Sequence, residues 1–265
     1  MAKSFYSAPA LDKGLDIIEL LALSSLPMTQ AQIASHLNKS VNEIYRMLNT
    51  LKNRGYVEFN ETSDQYFLSY KLLTMVASFN PIKSLIEKAV PAMKEITVKT
   101  CHSVHLSIYT AGKLLVIAQQ DSASAFNYHV AVGATFDLLE TSSGRVILTF
   151  QSEQERKRRL DRRKLFMDIE KNRNIPKKAI RDLESKYNKQ IIHKIKKDGC
   201  EIAKSLQIDA VTNISYPIFD NSGYAIAAIT TPYIKKFYEK FSINETSKVL
   251  KKYSTKLSYE LGHNI

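Results

Sequence analysis

Cysteine is nearly absent from this chain, with only Cys101 and Cys200 among 265 residues. Two thiols cannot form a disulfide scaffold, so both read as small apolar residues kept reduced. Glycine is also sparse, at eight, and no Walker-type string occurs among them, which excludes a glycine-rich phosphate cradle. A Gly-x-Ser-x-Gly elbow is missing as well. Ser142 or Ser143 with His129 or His193 as base therefore lacks both the elbow and an acid at a diagnostic position, and catalysis is the weaker reading. No run of 18 apolar residues is present, and residues 1–10 lack the apolar core of a secretory signal. The expectation is a cytoplasmic protein with no membrane partner.

Positive charge is present in excess, at +12, but not where a nucleic-acid reader would first be sought. Residues 1–75 hold seven basic and seven acidic residues, whereas residues 151–200 hold 17 basic and eight acidic ones. Nucleic-acid binding must therefore be argued from local structure. The basic tract, including Arg156, Arg158, Arg159, Arg162 and Arg163, reads first as solvated helices over 152–164 and 176–197, with contact to DNA phosphates as the alternative.

The most fully specified stretch is residues 40–55. Ser40 with Glu43 is a capping box, Gly55 suits a left-handed helix end, and Lys52 and Arg54 suit the negative end of the macrodipole. Val41, Ile44, Leu48 and Leu51 form one apolar stripe. The other face carries Asn42, Glu43, Tyr45, Arg46, Asn49 and Lys52, groups that can bond base edges and phosphates. Upstream, Thr29 and Gln32 form a second capping box that starts a short helix, and residues 36–39 make the turn. Downstream, residues 56–60 and 65–68 read as strands around a polar turn. Helix, turn, helix and hairpin together predict a winged helix-turn-helix with Thr29, Gln30, Lys39, Ser40, Thr50 and the exposed face of the second helix toward double-stranded DNA.

These residues resemble the IclR (isocitrate lyase regulator) family of bacterial transcription factors. The resemblance runs from Ala10 to Leu21, through Gln32, Ile33 and Ala34, then residues 46–51, Gly55, Tyr56 and Val57, to Tyr66, Phe67 and Leu68. It continues more loosely to residues 216–220 and Gly223. It implies an α+β protein in which a winged head, residues 1–69, is joined by a linker helix, 70–81, to a GAF-like effector-binding and oligomerisation domain, 82–265. It also implies an operator as partner, a small-molecule effector that is an organic acid, and a dimer or dimer of dimers.

Elsewhere the sequence predicts particular elements. Pro9 starts a first helix with Leu11, Leu15, Ile18 and Ala22 as its buried face. Pro91 is expected to divide residues 82–97 into two helices. Residues 104–119 read as a hairpin, 126–133 as a further strand, and 211–219 with 224–231 as paired strands. Ser242 with Glu245 caps a last helix. His102 and His105 are three apart leading into a strand, so they face opposite sides. They are expected to be ordinary hydrogen-bonded histidines, with no metal and no cofactor.

For the effector, the resemblance points to the helix opening at Thr141, Ser142, Ser143 and Gly144, where free amides can hold a carboxylate. It adds Asp209, Asn213, Ser215, Pro217, Thr230 and Thr231 on the paired strands. Arg145, the Asp209-Ala210 pair and Tyr216 depart from the family pattern. An alternative from another class is a ligand-binding or enzymatic module whose helix-turn-helix contacts a protein.

Overall fold

The computed structural model describes residues 8–24, 26–78, 80–125, 127–169, 185, 187, 189–235 and 241–264. They form two compact units, Met1–Lys83 and Ser84–Ile265.

In the first unit, α1 (Pro9–Leu23), α2 (Gln30–His36) and α3 (Val41–Asn53) precede a hairpin of β1 (Val57–Asn60) and β2 (Gln65–Leu68) and then α4 (Lys71–Ala77). Ile17, Leu21, Met28, Ile33, Ala34, Ile44, Leu48 and Val57 make its core. Both capping boxes close as the sequence predicts, with Thr29 and Ser40 accepting from the amides of Gln32 and Glu43. The buried face of α1 differs from the prediction: Gly14, Ile17 and Leu21 are inside, while Leu11 is 62% and Leu15 46% exposed. Leucine and isoleucine circle most of this helix, so periodicity could not choose the inner stripe. Packing against α3 chose it. Lys71 donates to the Arg54 carbonyl at 2.5 Å and lies over the Tyr56 ring, which ties the start of α4 to the end of α3.

The second unit is built on one antiparallel sheet of six strands in the order β5-β4-β3-β8-β7-β6. The strands are β3 (Val104–Thr110), β4 (Lys113–Gln120), β5 (Thr135–Asp137), β6 (Glu201–Lys204), β7 (Val211–Phe219) and β8 (Ala225–Ile234). The β3–β4 turn puts Ala111 and Gly112 at positive φ, as a two-residue hairpin loop with the sheet's own twist requires. Helix α6 (Ser142–Thr149) lies on one face of the sheet. On the other face lies α9 (Ile243–Glu260), where Tyr216 meets Ser247 at 2.8 Å. Helix α5 (Asn80–Thr100) is joined to α9 by bonds from Lys88 to the Glu260 carbonyl and from Lys99 to Tyr253.

Two sequence expectations are corrected here, and one strand was not expected at all. Pro91 sits inside a continuous α5, because Leu85, Ala89, Met93 and Ile96 all bury along the helix and the burial outweighs one lost backbone bond. Residues 127–133 form no strand. Gly133, at positive φ, bonds Val116 and turns the chain into the short edge strand β5. Strand β6 has no expectation in the sequence, since four residues with Glu201 and Lys204 at their ends carry too short an alternation to read as a strand. Helices α7 (Glu153–Ile169) and α8 (Lys189–Asp198) flank residues 170–188, and the expected helix start at Pro176 lies outside the described residues.

Candidate nucleic-acid interface and effector site

Asn42, Tyr45, Arg46 and Asn49 fall at steps of three, one and three on α3, so they share one side of the helix, and all four are exposed. Ile44 and Leu48 are fully buried on the opposite side. Lys39, Thr50 and Lys52 are exposed at the margins; Thr50 Oγ1 donates to the Arg46 carbonyl, and Lys52 lies 4.7 Å from the centre of the Phe59 ring in the wing. Four of the sequence candidates act on the protein itself. Thr29 and Ser40 are caps, Gln30 donates its amide to the Val41 carbonyl at 3.1 Å, and Glu43 bonds the Ser40 amide and Lys13. Those bonds hold the Glu43 carboxyl at about 2, well below its usual range; the Ser40 amide is the main cause, followed by Lys13. The surface left for another molecule is therefore the face of Asn42, Tyr45, Arg46 and Asn49, two of them planar amides and one a guanidinium.

The effector candidates divide more sharply. Thr141 caps α6 by accepting from the Gly144 amide at 3.1 Å. Behind that cap every residue of α6 is buried, including Ser142 and Ser143 at 1% and 2% exposure. The helix start therefore does not open outward as the sequence implied. Its hydroxyls bond the sheet instead. Ser142 meets Ser215, Ser215 meets Thr230 and Thr230 meets Ser143, each at 2.8 Å, giving one chain of four hydroxyls. Asn213 and Pro217 stand at two-residue steps from Ser215 and so share its face of the sheet. Thr231 is next to Thr230 and must face the other side, where its buried hydroxyl has no partner among the described residues. Asp209 is exposed in the turn before β7. Thr231 and Asp209 are thus not brought to the cluster.

Sequence reasoning missed what lies beside this cluster. Arg145 crosses to the β6 edge and bonds Glu201 at 2.9 and 3.0 Å, with its other arm on the Leu139 carbonyl. Burial pushes the Glu201 carboxyl up despite that arginine. His105, expected to be ordinarily hydrogen bonded, is buried with Nδ1 lacking a partner among the described residues. The spacing sets His102 on another side from His105 but does not say what either meets; His102 packs 4.5 Å from the Tyr233 ring.

The fold and both sites can be compared with known proteins. The chain matches the model of the bacterial transcriptional regulator IclR C-terminal domain over residues 82–259 and that of the IclR helix-turn-helix domain over residues 10–61. It belongs to the IclR family. Among curated relatives, KdgR of Escherichia coli is 23% identical over 88% of this chain and 85% of its own length. BhcR of Paracoccus denitrificans is 24% identical over 83% and 76%. The IclR structure from Thermotoga maritima shares the fold with a TM-score of 0.65 at 23% identity, covering 96% of this chain and 98% of that one. An IclR homologue from Microbacterium hydrocarbonoxydans, solved with 4-hydroxybenzoate, has a TM-score of 0.72 at 15% identity, covering 95% and 98%. Among the described residues, no helix is long and apolar enough to cross a membrane.

In this IclR-family regulator the basic tract is partly internal rather than solvated throughout. Arg163 is 1% exposed and bonds Asp137 at 2.6 Å. Arg159 bonds Glu155 at 2.8 Å and lies 4.4 Å from the centre of the Tyr109 ring. These arginines fasten α7 to the β3–β4 hairpin and to the turn that enters α6. Sequence composition alone could not show this, since an arginine that anchors a helix and one that is solvated contribute the same charge.

Proposed function

We propose that this protein binds an operator through the exposed face of α3 and that an organic acid at the start of α6 modulates the binding. The observation that carries the first half is the clustering of Asn42, Tyr45, Arg46 and Asn49 on one exposed face above a fully buried Ile44 and Leu48. Such a face can enter a major groove, with Arg46 suited to guanine and Asn49 to adenine, while Lys39 and Lys52 reach phosphates. The hydroxyl chain over α6 supports the second half. The 4-hydroxybenzoate bound to the Microbacterium homologue is an acid of the class that a helix start would hold.

A mobility-shift titration on the protein's own upstream region tests the operator reading. Arg46→Ala should weaken binding by about 1 to 3 kcal/mol and relax preference at one base position. Unchanged affinity and unchanged salt slope would show that α3 does not dock this way.

We further infer a homo-oligomer. One recognition helix spans few base pairs, and two heads roughly 34 to 36 Å apart on DNA multiply specificity. Leu11, Leu15, Leu23, Tyr70, Leu73 and Val76 leave α1 and α4 with exposed apolar side chains that a second copy would cover. Sedimentation at micromolar concentration should give at least a dimer; a monomer that still binds a palindromic operator tightly would refute this.

A further inference from the structure

Register places five polar residues in one row across the sheet. Gln119 pairs with His105, His105 with Thr230, Thr230 with Ser215, and Ser215 with Glu201. Directly paired residues of antiparallel strands share a face, so all five point to the side on which α6 lies. Helix α6 takes up three of them, through Ser143 on Thr230, Ser142 on Ser215 and Arg145 on Glu201. The other two are left over. His105 is 8% exposed with Nδ1 unpartnered among the described residues, and so is Oε1 of Gln119, whose amide nitrogen is held by Asp121 and the Tyr128 carbonyl. Ser107 Oγ, two residues along β3 and on the same face, is a third such atom.

Buried polar atoms are nearly always satisfied, because each orphan costs about 1 to 3 kcal/mol. Three on one patch, beside a helix start whose first two amides have no intrahelical acceptor, mark a place built for something to bind. The two ends of that place differ in chemistry. The amides of Ser142 and Ser143 favour negative charge. Burial holds the His105 imidazole down at about 4, so the ring is neutral and offers one donor and one acceptor. A neutral ring beside an amide oxygen suits a hydroxyl or carbonyl better than a second carboxylate. Adjacent strands are about 4.8 Å apart, so the second group sits roughly one strand from the hydroxyl that Ser143 contacts.

We propose that His105 and Gln119 form a second anchor of the effector site, and that the effector is an acid bearing a hydroxyl or oxo group which these residues read. This rests on the reading of α6 as the site of an acid. His105 and Gln119 then set specificity, and the helix start sets charge.

The test compares acids that differ by one group: 3-hydroxybutyrate with butyrate, malate with succinate, and 2-oxoglutarate with glutarate. Thermal shift and calorimetry on the full chain provide the readouts. Wild type should bind the substituted acid of at least one pair about tenfold or more tightly, the worth of one buried hydrogen bond. His105→Leu should erase that preference yet keep the binding of the plain acid. Its ligand-free melting temperature should be equal or higher, because the ring it replaces has an unpaired nitrogen. His105→Gln, which retains a donor and an acceptor, should restore part of the preference. Wild-type binding of acids without preference, or a preference that survives in His105→Leu, overturns the second anchor and leaves the acid site standing. A ligand-free melting temperature that falls by several degrees in His105→Leu makes the histidine structural and also overturns it. If no acid of the panel shifts the wild type, both readings fall together.

Discussion

Gly144→Ala should destabilise the second unit by about 3 kcal/mol or more, although helix propensity alone favours alanine by about 1 kcal/mol. A Cβ at this position would lie 2.1 Å from the Leu138 carbonyl oxygen and 2.8 Å from its carbon, far inside any real contact. Neither side can yield cheaply. Leu138 is fully buried and packs in one cluster with Val146 and Ile147 of the same helix, so a shift of either partner opens the core elsewhere. The steric term therefore wins and the sign of the usual glycine-to-alanine effect reverses. For a unit of this size each kcal/mol is worth roughly 2 to 4 °C, giving a fall of about 6 to 12 °C in its unfolding transition by calorimetry. Ser143→Ala serves as a control. It loses one hydroxyl bond and should cost only about 1 kcal/mol. An unchanged or raised melting temperature in Gly144→Ala would show that α6 does not approach Leu138 as described.

Arg163→Leu should cost a further large amount, about 3 to 5 kcal/mol, because it strands Asp137. The Asp137 carboxylate is shielded from water, accepts from Arg163 at 2.6 Å, and with its other oxygen holds the amides of Leu139 and Glu140. Those amides form the turn that leads into α6, so this ion pair positions the proposed effector site from outside it. Coulomb attraction in a buried pair roughly repays desolvation, and the penalty of the single variant comes mostly from the orphaned charge. Arg163→Leu with Asp137→Asn should therefore be more stable than Arg163→Leu alone, since asparagine keeps an oxygen for the two amides and carries no charge. Urea titration of the two variants decides it. A double variant as unstable as the single one, or a single variant near wild type, would contradict the account.

From α2 to β2 the elements of the first unit were legible in the sequence to within a residue or two. Their signals are local: the boxes of Thr29 with Gln32 and Ser40 with Glu43, the glycine at 55, and the period of Ile44 and Leu48 all act within one or two turns. In the same unit the inner face of α1 was not legible, because several apolar stripes compete and only α3 selects among them. The sheet pairing of residues 211–219 with the following strand was likewise written in its turn, and the final helix in Ser242 and Glu245.

The proposed effector site depended on tertiary structure. Ser143 reads in sequence as an exposed first-turn residue, and becomes 2% exposed only because α6 is laid flat on β7 and β8. The spacing of His105 and His102 sets them on different sides, but only the fold decides what each meets: strand pairing puts His105 in the hydroxyl row, and His102, just before β3, packs against Tyr233. Arg163 is one arginine among many in a basic tract until the turn at Asp137 is brought to it from 26 positions away. Caps, turns and amphipathic periods are short-range and so are written in the chain itself. Burial and polar satisfaction are properties of what lies opposite, and only folding decides that.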